Sequence, residues 1–202
     1  MKFKNRIIIV GILAAVGVVL TAFSLSSNAD IITEDTAAIA KDYKFDRDGN
    51  LIRPEGYRTW VYVGTPLTPN DLNNGAAPFP EFHNVYIHPD DYKYYEKNGK
   101  WKDGTILIKE LVSVGTKAAV SGNGYFMGEF IGLEATIKDS KRFKDEPGNW
   151  AYFSFSNNGG PLKDKASAFP TATCNACHAA SAKDDFVFTQ HYPVLRAAKN
   201  SK

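Results

Sequence analysis

The chain has 202 residues, 44% hydrophobic and 23% charged, long enough for one domain with a sizeable core and too ordinary in composition for a disordered or collagen-like polymer. Its formal charge of +2 sits mostly in the first 29 residues. Those carry three of the 24 basic side chains and none of the 22 acidic ones, so the rest balances 21 against 22. No long basic stretch remains, which excludes a nucleic-acid-binding class.

Lys2, Lys4 and Arg6 precede an uncharged, proline-free run from Ile7 to Phe23, and Ser27-Asn28-Ala29 follows as a small-residue cleavage site. Residues 1–29 therefore read as an export signal cut before Asp30, with the competing reading an uncleaved anchor. Either way the folded part is expected outside the cytoplasm, in the periplasm. Residues 30–56 read as an N-terminal extension and residues 57–202 as the folded domain. Arg47-Asp48-Gly49-Asn50 predicts a turn. Thr59–Val63 predicts a strand, and Thr65–Pro80, with four prolines, a loop with a short helix at Thr68-Pro69. Phe82–Ile87 predicts a second strand, and Pro89-Asp90-Asp91 opens a short helix to about Lys97.

Asn98-Gly99 and Asp103-Gly104 are turn signals before the best strand, Thr105–Val114. Ser121–Gly124 predicts another turn before a long strand, Tyr125–Ile137. A helical turn at Asp139–Asp145, a strand at Trp150–Phe155 and a small-residue helix at Thr173–Ala182 follow. Phe186–Leu195 then closes the chain against the core. About five strands joined mostly by turns, against three or four short helices, predict an α+β, mainly antiparallel sheet domain with a small-residue helix near its C-terminus.

The only two cysteines stand in Cys174-Asn175-Ala176-Cys177-His178. C-x-x-C-H is the attachment pattern of c-type haem: the two thiols form thioethers with the vinyl groups, and the next histidine becomes the axial iron ligand. A thioredoxin-like redox pair and a structural zinc site use the same spacing. The first expects the motif early, after a strand, and the second needs two more ligands. No Met follows His178. Met127, the one Met beyond the export segment, is expected in the core rather than on the iron, which leaves an open face on the haem. Among the other histidines, His88 reads as a surface or capping residue and His191 as packed or hydrogen-bonded. His83 is the one considered near the open face. Lys109 shares a strand face with Leu107 and Leu111, while Ile106, Ile108 and Val112 make the opposite face equally apolar. Periodicity alone leaves open whether Lys109 is an edge lysine in solvent or one held beside the haem.

Several stretches resemble the cytochrome P-460 family, the hydroxylamine-oxidising monohaem cytochromes. They are Trp60–Thr65, Asp103-Gly104-Thr105 through Lys109-Glu110-Leu111, Ser121–Gly128 and Gly132-Leu133-Glu134-Ala135. Glu146–Trp150, Ala168–Thr171, Phe188-Thr189-Gln190 and Tyr192–Leu195 continue the match, which runs from about Tyr57 to Arg196. The resemblance implies a mainly antiparallel fold, a homodimer, and one five-coordinate haem c with a lysine nitrogen bonded to a porphyrin meso carbon. The matching lysine is Lys109. It also implies hydroxylamine and nitric oxide as small-molecule ligands and a soluble cytochrome as electron acceptor. The related cytochrome c′-β branch lacks the lysine link and binds nitric oxide without turnover, so Lys109 places the chain on the enzymatic side. Glu134 matches a distal-pocket carboxylate and, with Lys109, is assigned to the catalytic set. His83 stands where some active members carry Arg, and Ala168 where some carry a distal Glu base.

Overall fold

The computed structural model describes residues 43–200, so the export segment and residues 30–42 of the expected extension lie outside the described residues. The element order is β1 (Leu51–Ile52), β2 (Val61–Gly64), β3 (Phe82–Ile87), α1 (Pro89–Asn98), β4 (Ile106–Val114), β5 (Ala118–Ala119), β6 (Gly122–Asn123), β7 (Met127–Lys138), β8 (Trp150–Ser154), β9 (Lys165–Ala166), α2 (Asn175–Ser181) and α3 (Pro193–Asn200). The fold is α+β, as the turn signals predicted. Its main sheet has five antiparallel strands in the order β2-β3-β4-β7-β8, with two-stranded ribbons β1-β9 and β5-β6 beside it. Among the described residues, no helix is long and apolar enough to cross a membrane.

Side chains alternate across the sheet, so each strand feeds two cores. On one face Val63, Val85, Ile87, Leu107 and Tyr152 pack with Tyr95 of α1 and with Val187, Tyr192 and Leu195 of the C-terminal segment. On the other, Ile106, Ile108, Leu133, Ala135, Ile137 and Phe153 pack under Leu51 and Tyr57. Tyr43 and Phe45 also pack there, so the folded unit starts upstream of Tyr57 and takes in part of the expected extension. Fully burying one such Ile or Phe stabilises by about 1.5–3 kcal/mol, which makes β4, apolar on both faces, the centre of the domain.

Helix α1 begins as its sequence demands. His88 caps it, Nδ1 accepting from the Asp90 N–H at 3.3 Å, with Pro89 in the first turn. The cap is buried at 1% exposure, where a surface position was the other expectation. Asp91 in the same turn is also buried and accepts from the Ile106 N–H at 3.0 Å, which anchors the start of β4 to the helix. Gly99 closes the helix in the left-handed conformation, φ 64°.

Met127 departs from its expected place. It is 49% exposed, because β8 pairs with β7 only from Glu134 onward and leaves the first half of the longest strand uncovered. Phe130 and Ile131 are exposed on the same stretch. His191 is exposed as well; its ring stacks on Phe188 at 6.0 Å.

Candidate functional site

A cavity of about 390 Å³ opens between one face of the sheet and the α2 region, within the roughly 300–1,000 Å³ usual for small-molecule and cofactor sites. Its wall holds Cys174, Cys177, His178, Lys109, Glu134 and His83. Four separate segments of the chain thus deliver six of the seven residues the sequence singled out. Ala168 is the exception. It is exposed, pairs through its backbone with Phe153, and is not part of the wall; its neighbour Phe169 is.

The sheet register explains the grouping. Val85, Lys109, Glu134 and Ser154 lie side by side on β3, β4, β7 and β8, and Ile87, Leu107, Thr136 and Tyr152 form the next row. Lys109 and Glu134 are therefore cross-strand partners, and Lys109 Nζ lies 2.6 Å from Glu134 Oε2, both side chains 29% exposed. The lysine keeps the cavity face that Leu107 suggested, but as half of an ion pair rather than alone on an apolar surface. Its ammonium also lies 5.6 Å from the Phe79 ring, at the exposed rim. His83, two positions before Val85, sits 3.4 Å from Glu81 Oε1, and this contact holds the Glu81 carboxyl below its ordinary range.

The C-x-x-C-H segment is held by its own first spacer residue. Asn175 is buried and donates to Glu146 Oε2 at 2.8 Å and to the Trp150 carbonyl at 3.1 Å, which seats the start of α2 against β8. Both cysteines are free thiols, and burial pushes the Cys174 thiol above its usual range. The His178 ring lies between Tyr152, centroids 4.4 Å apart, and Phe188, at 4.6 Å. Its Nδ1 donates to the Phe186 carbonyl at 2.7 Å, which leaves Nε2 with the lone pair. Burial pushes the His178 pKa down, partly opposed by that hydrogen bond, so the imidazole is held neutral, the form that binds metal.

These residues fit a covalently held haem. The cavity wall is mainly aromatic and aliphatic, two unpaired thiols stand on it beside a neutral, oriented imidazole, and the buried Tyr152 hydroxyl on it has no hydrogen-bond partner among the described residues. The competing readings lose ground. The described residues contain no group of three or more His, Cys, Asp or Glu side chains able to hold a metal ion, against a zinc site. Met127 Sδ lies 3.8 Å from the Asn84 amide, which bonds Glu110 on the sheet face away from the cavity, against Met ligation.

Asn175, Tyr152, Phe186 and Phe188 were not singled out by sequence reasoning. Alternation with Trp150 put Tyr152 on a definite face, but nothing local says which face meets the cavity; the other three matter through partners far from the motif's own spacing.

A family model described as Cytochrome P460 matches residues 54–189. No curated protein matches the chain.

Proposed function

Because the chain belongs to the cytochrome P460 family, whose cofactor is haem, we propose that it is an exported monohaem c-type cytochrome that oxidises hydroxylamine to nitric oxide or nitrous oxide. The observation that carries this reading is the Lys109–Glu134 pair on the same cavity wall as Cys174, Cys177 and His178. Cys174 and Cys177 would hold the haem as thioethers and His178 Nε2 would ligate its iron. Lys109 would join the macrocycle edge, as the family resemblance implies. When bound, the haem supplies the iron site for hydroxylamine and the electron transfer its oxidation needs.

The remaining work falls to the chain. Oxidation of hydroxylamine to a nitrogen oxide releases protons as well as electrons. Glu134 and His83 face the cavity and can accept the protons, and a positioned acid or base typically contributes about 10²–10⁴-fold. His83 sits beside Glu81, which lines a second, shallower cavity of about 330 Å³ beside the β4–β7 pair. Leu107, Tyr152 and Phe188 surround the site with apolar surface that limits water. Electrons would leave to a soluble cytochrome outside the cytoplasm. The exposed run Met127, Phe130 and Ile131 supports a homodimer, since it gives a second copy an apolar strand surface to cover.

A second reading has one observation in its favour. Ala168 brings no base to the site, so a nitric oxide-binding cytochrome without turnover is the alternative. Ferric protein mixed with hydroxylamine and a chemical oxidant separates the two: consumption with release of nitrogen oxides supports the enzyme, and a stable nitric oxide complex with no consumption at any pH supports the binding protein. Peptide mapping should recover the Lys109 peptide joined through haem to the Cys174–His178 peptide; a free, unmodified Lys109 peptide from mature protein rejects the link.

A further inference from the structure

The carbonyl that accepts from His178 belongs to an unusual stretch of backbone. Asp185 and Phe186 have φ of 44° and 66°, two consecutive non-glycine residues in the left-handed region. Such a conformation persists only where its surroundings impose it. On one side, Asp184 is held by the Tyr95 hydroxyl, which donates to its carboxylate at 2.5 Å, and by Trp101 Nε1, which donates to its carbonyl at 3.2 Å. On the other, Lys138 at the end of β7 donates through Nζ to the Gly148 carbonyl at 2.6 Å and to Asp185 Oδ2 at 3.0 Å.

Gly148 completes the arrangement. Its φ is 64°, and a Cβ there would stand 2.5 Å from Cε2 of the Phe186 ring, so only glycine lets that ring lie against this backbone. Lys138 therefore ties together the two loops that seat Phe186. The Lys138 side chain is 16% exposed and its ammonium lies 5.2 Å from the Trp150 ring, whereas the Asp185 carboxylate is 37% exposed. A half-exposed ion pair adds little stability. What this one contributes is direction: it fixes where the Phe186 carbonyl points.

We propose that Lys138 is a positioning residue for His178, acting through Asp185 and the Phe186 carbonyl to set how strongly Nδ1 is hydrogen-bonded. The inference rests on the reading of His178 as the axial ligand. A strong Nδ1–H···O=C bond makes the imidazole a more basic ligand and favours the ferric over the ferrous state. Release of the clamp lets the strained segment relax, lengthens that bond and weakens the ligand.

The test uses the mature, haem-loaded protein and its Lys138→Met, Lys138→Arg and Asp185→Asn variants. Two readouts are independent of turnover: the ferrous iron–histidine stretching band by resonance Raman and the midpoint potential by optical titration. Lys138→Met should lower the band frequency and shift the ferric/ferrous equilibrium toward ferrous about tenfold, which is about 59 mV for a one-electron couple. Asp185→Asn should shift both in the same direction by less, and Lys138→Arg, which keeps the cation and its donors, should restore both. A wild-type band and potential in either folded Lys138→Met or Asp185→Asn protein overturns the inference. A wild type with no iron–histidine band overturns instead the axial reading of His178, and failure to oxidise hydroxylamine affects neither readout.

Discussion

Lys109 and Glu110 are neighbours in β4 and face opposite sides of the same sheet. Glu110 is 5% exposed and accepts from the Tyr57 hydroxyl at 2.8 Å, from Arg58 Nε at 2.7 Å and from the Asn84 amide at 3.2 Å. A buried charge so fully paired is structural: it joins the segment before β2 to the centre of the sheet. Lys109 has one carboxylate partner and an ammonium facing a cavity. The difference teaches that the count of partners, more than burial, separates a charge that holds the fold from one left available for chemistry.

The sharpest way to break this comparison is at Lys109. Lys109→Ala should fold, keep its thioether-bound haem and lose hydroxylamine oxidation, with an optical spectrum of ordinary high-spin haem c in place of the red-shifted Soret band of the lysine-linked form. Glu134→Gln should lower turnover by about 10²-fold or more while changing stability by less than about 1 kcal/mol. Stopped-flow kinetics beside urea unfolding reads both; turnover unchanged in Glu134→Gln would remove that residue from the catalytic set.

On the other face the effect should fall on stability instead. Glu110→Ala leaves the buried Tyr57 hydroxyl and Asn84 amide without their acceptor, at about 1–3 kcal/mol each, so the urea midpoint should drop while the spectrum of the folded protein stays as in wild type. An altered haem spectrum with unchanged stability would show that Glu110 serves the cavity after all.

The smallest effect concerns pH. The Glu81 carboxyl is held below its unfolded value near 4.5 by His83. A depressed folded pKa contributes stability above that value, lost as pH falls through the folded pKa. Thermal unfolding followed from about pH 6 to about pH 3 should therefore fall more steeply in wild type than in Glu81→Gln. Parallel curves would mean that the Glu81–His83 contact is absent in solution.

Some of this was plain from local residue order. Turn residues at Asn98-Gly99 and Asp103-Gly104 lead into β4, Pro89 and two aspartates start α1, and alternation puts Leu107 and Lys109 on one face, because backbone preference and side-chain period act over a few residues. C-x-x-C-H identifies the haem chemistry for the same reason: both thiols and the imidazole must lie within one helical turn. With the wider family pattern, these features sufficed for the fold class and the cofactor.

What tertiary structure alone decided were relations between distant segments. Both faces of β4 are apolar, so which one meets the cavity depends on α2 packing over the Lys109 face and residues 43–57 over the other. The Lys109–Glu134 pair exists only in the register that sets β4 against β7, and a one-residue slip would send Glu134 to the opposite side. Met127 is exposed because β8 stops short of it, and Lys138 reaches His178 only through loops that meet after the sheet has closed. Strand register and loop meeting are settled by the sum of long-range packing, and no window of neighbouring residues contains that sum.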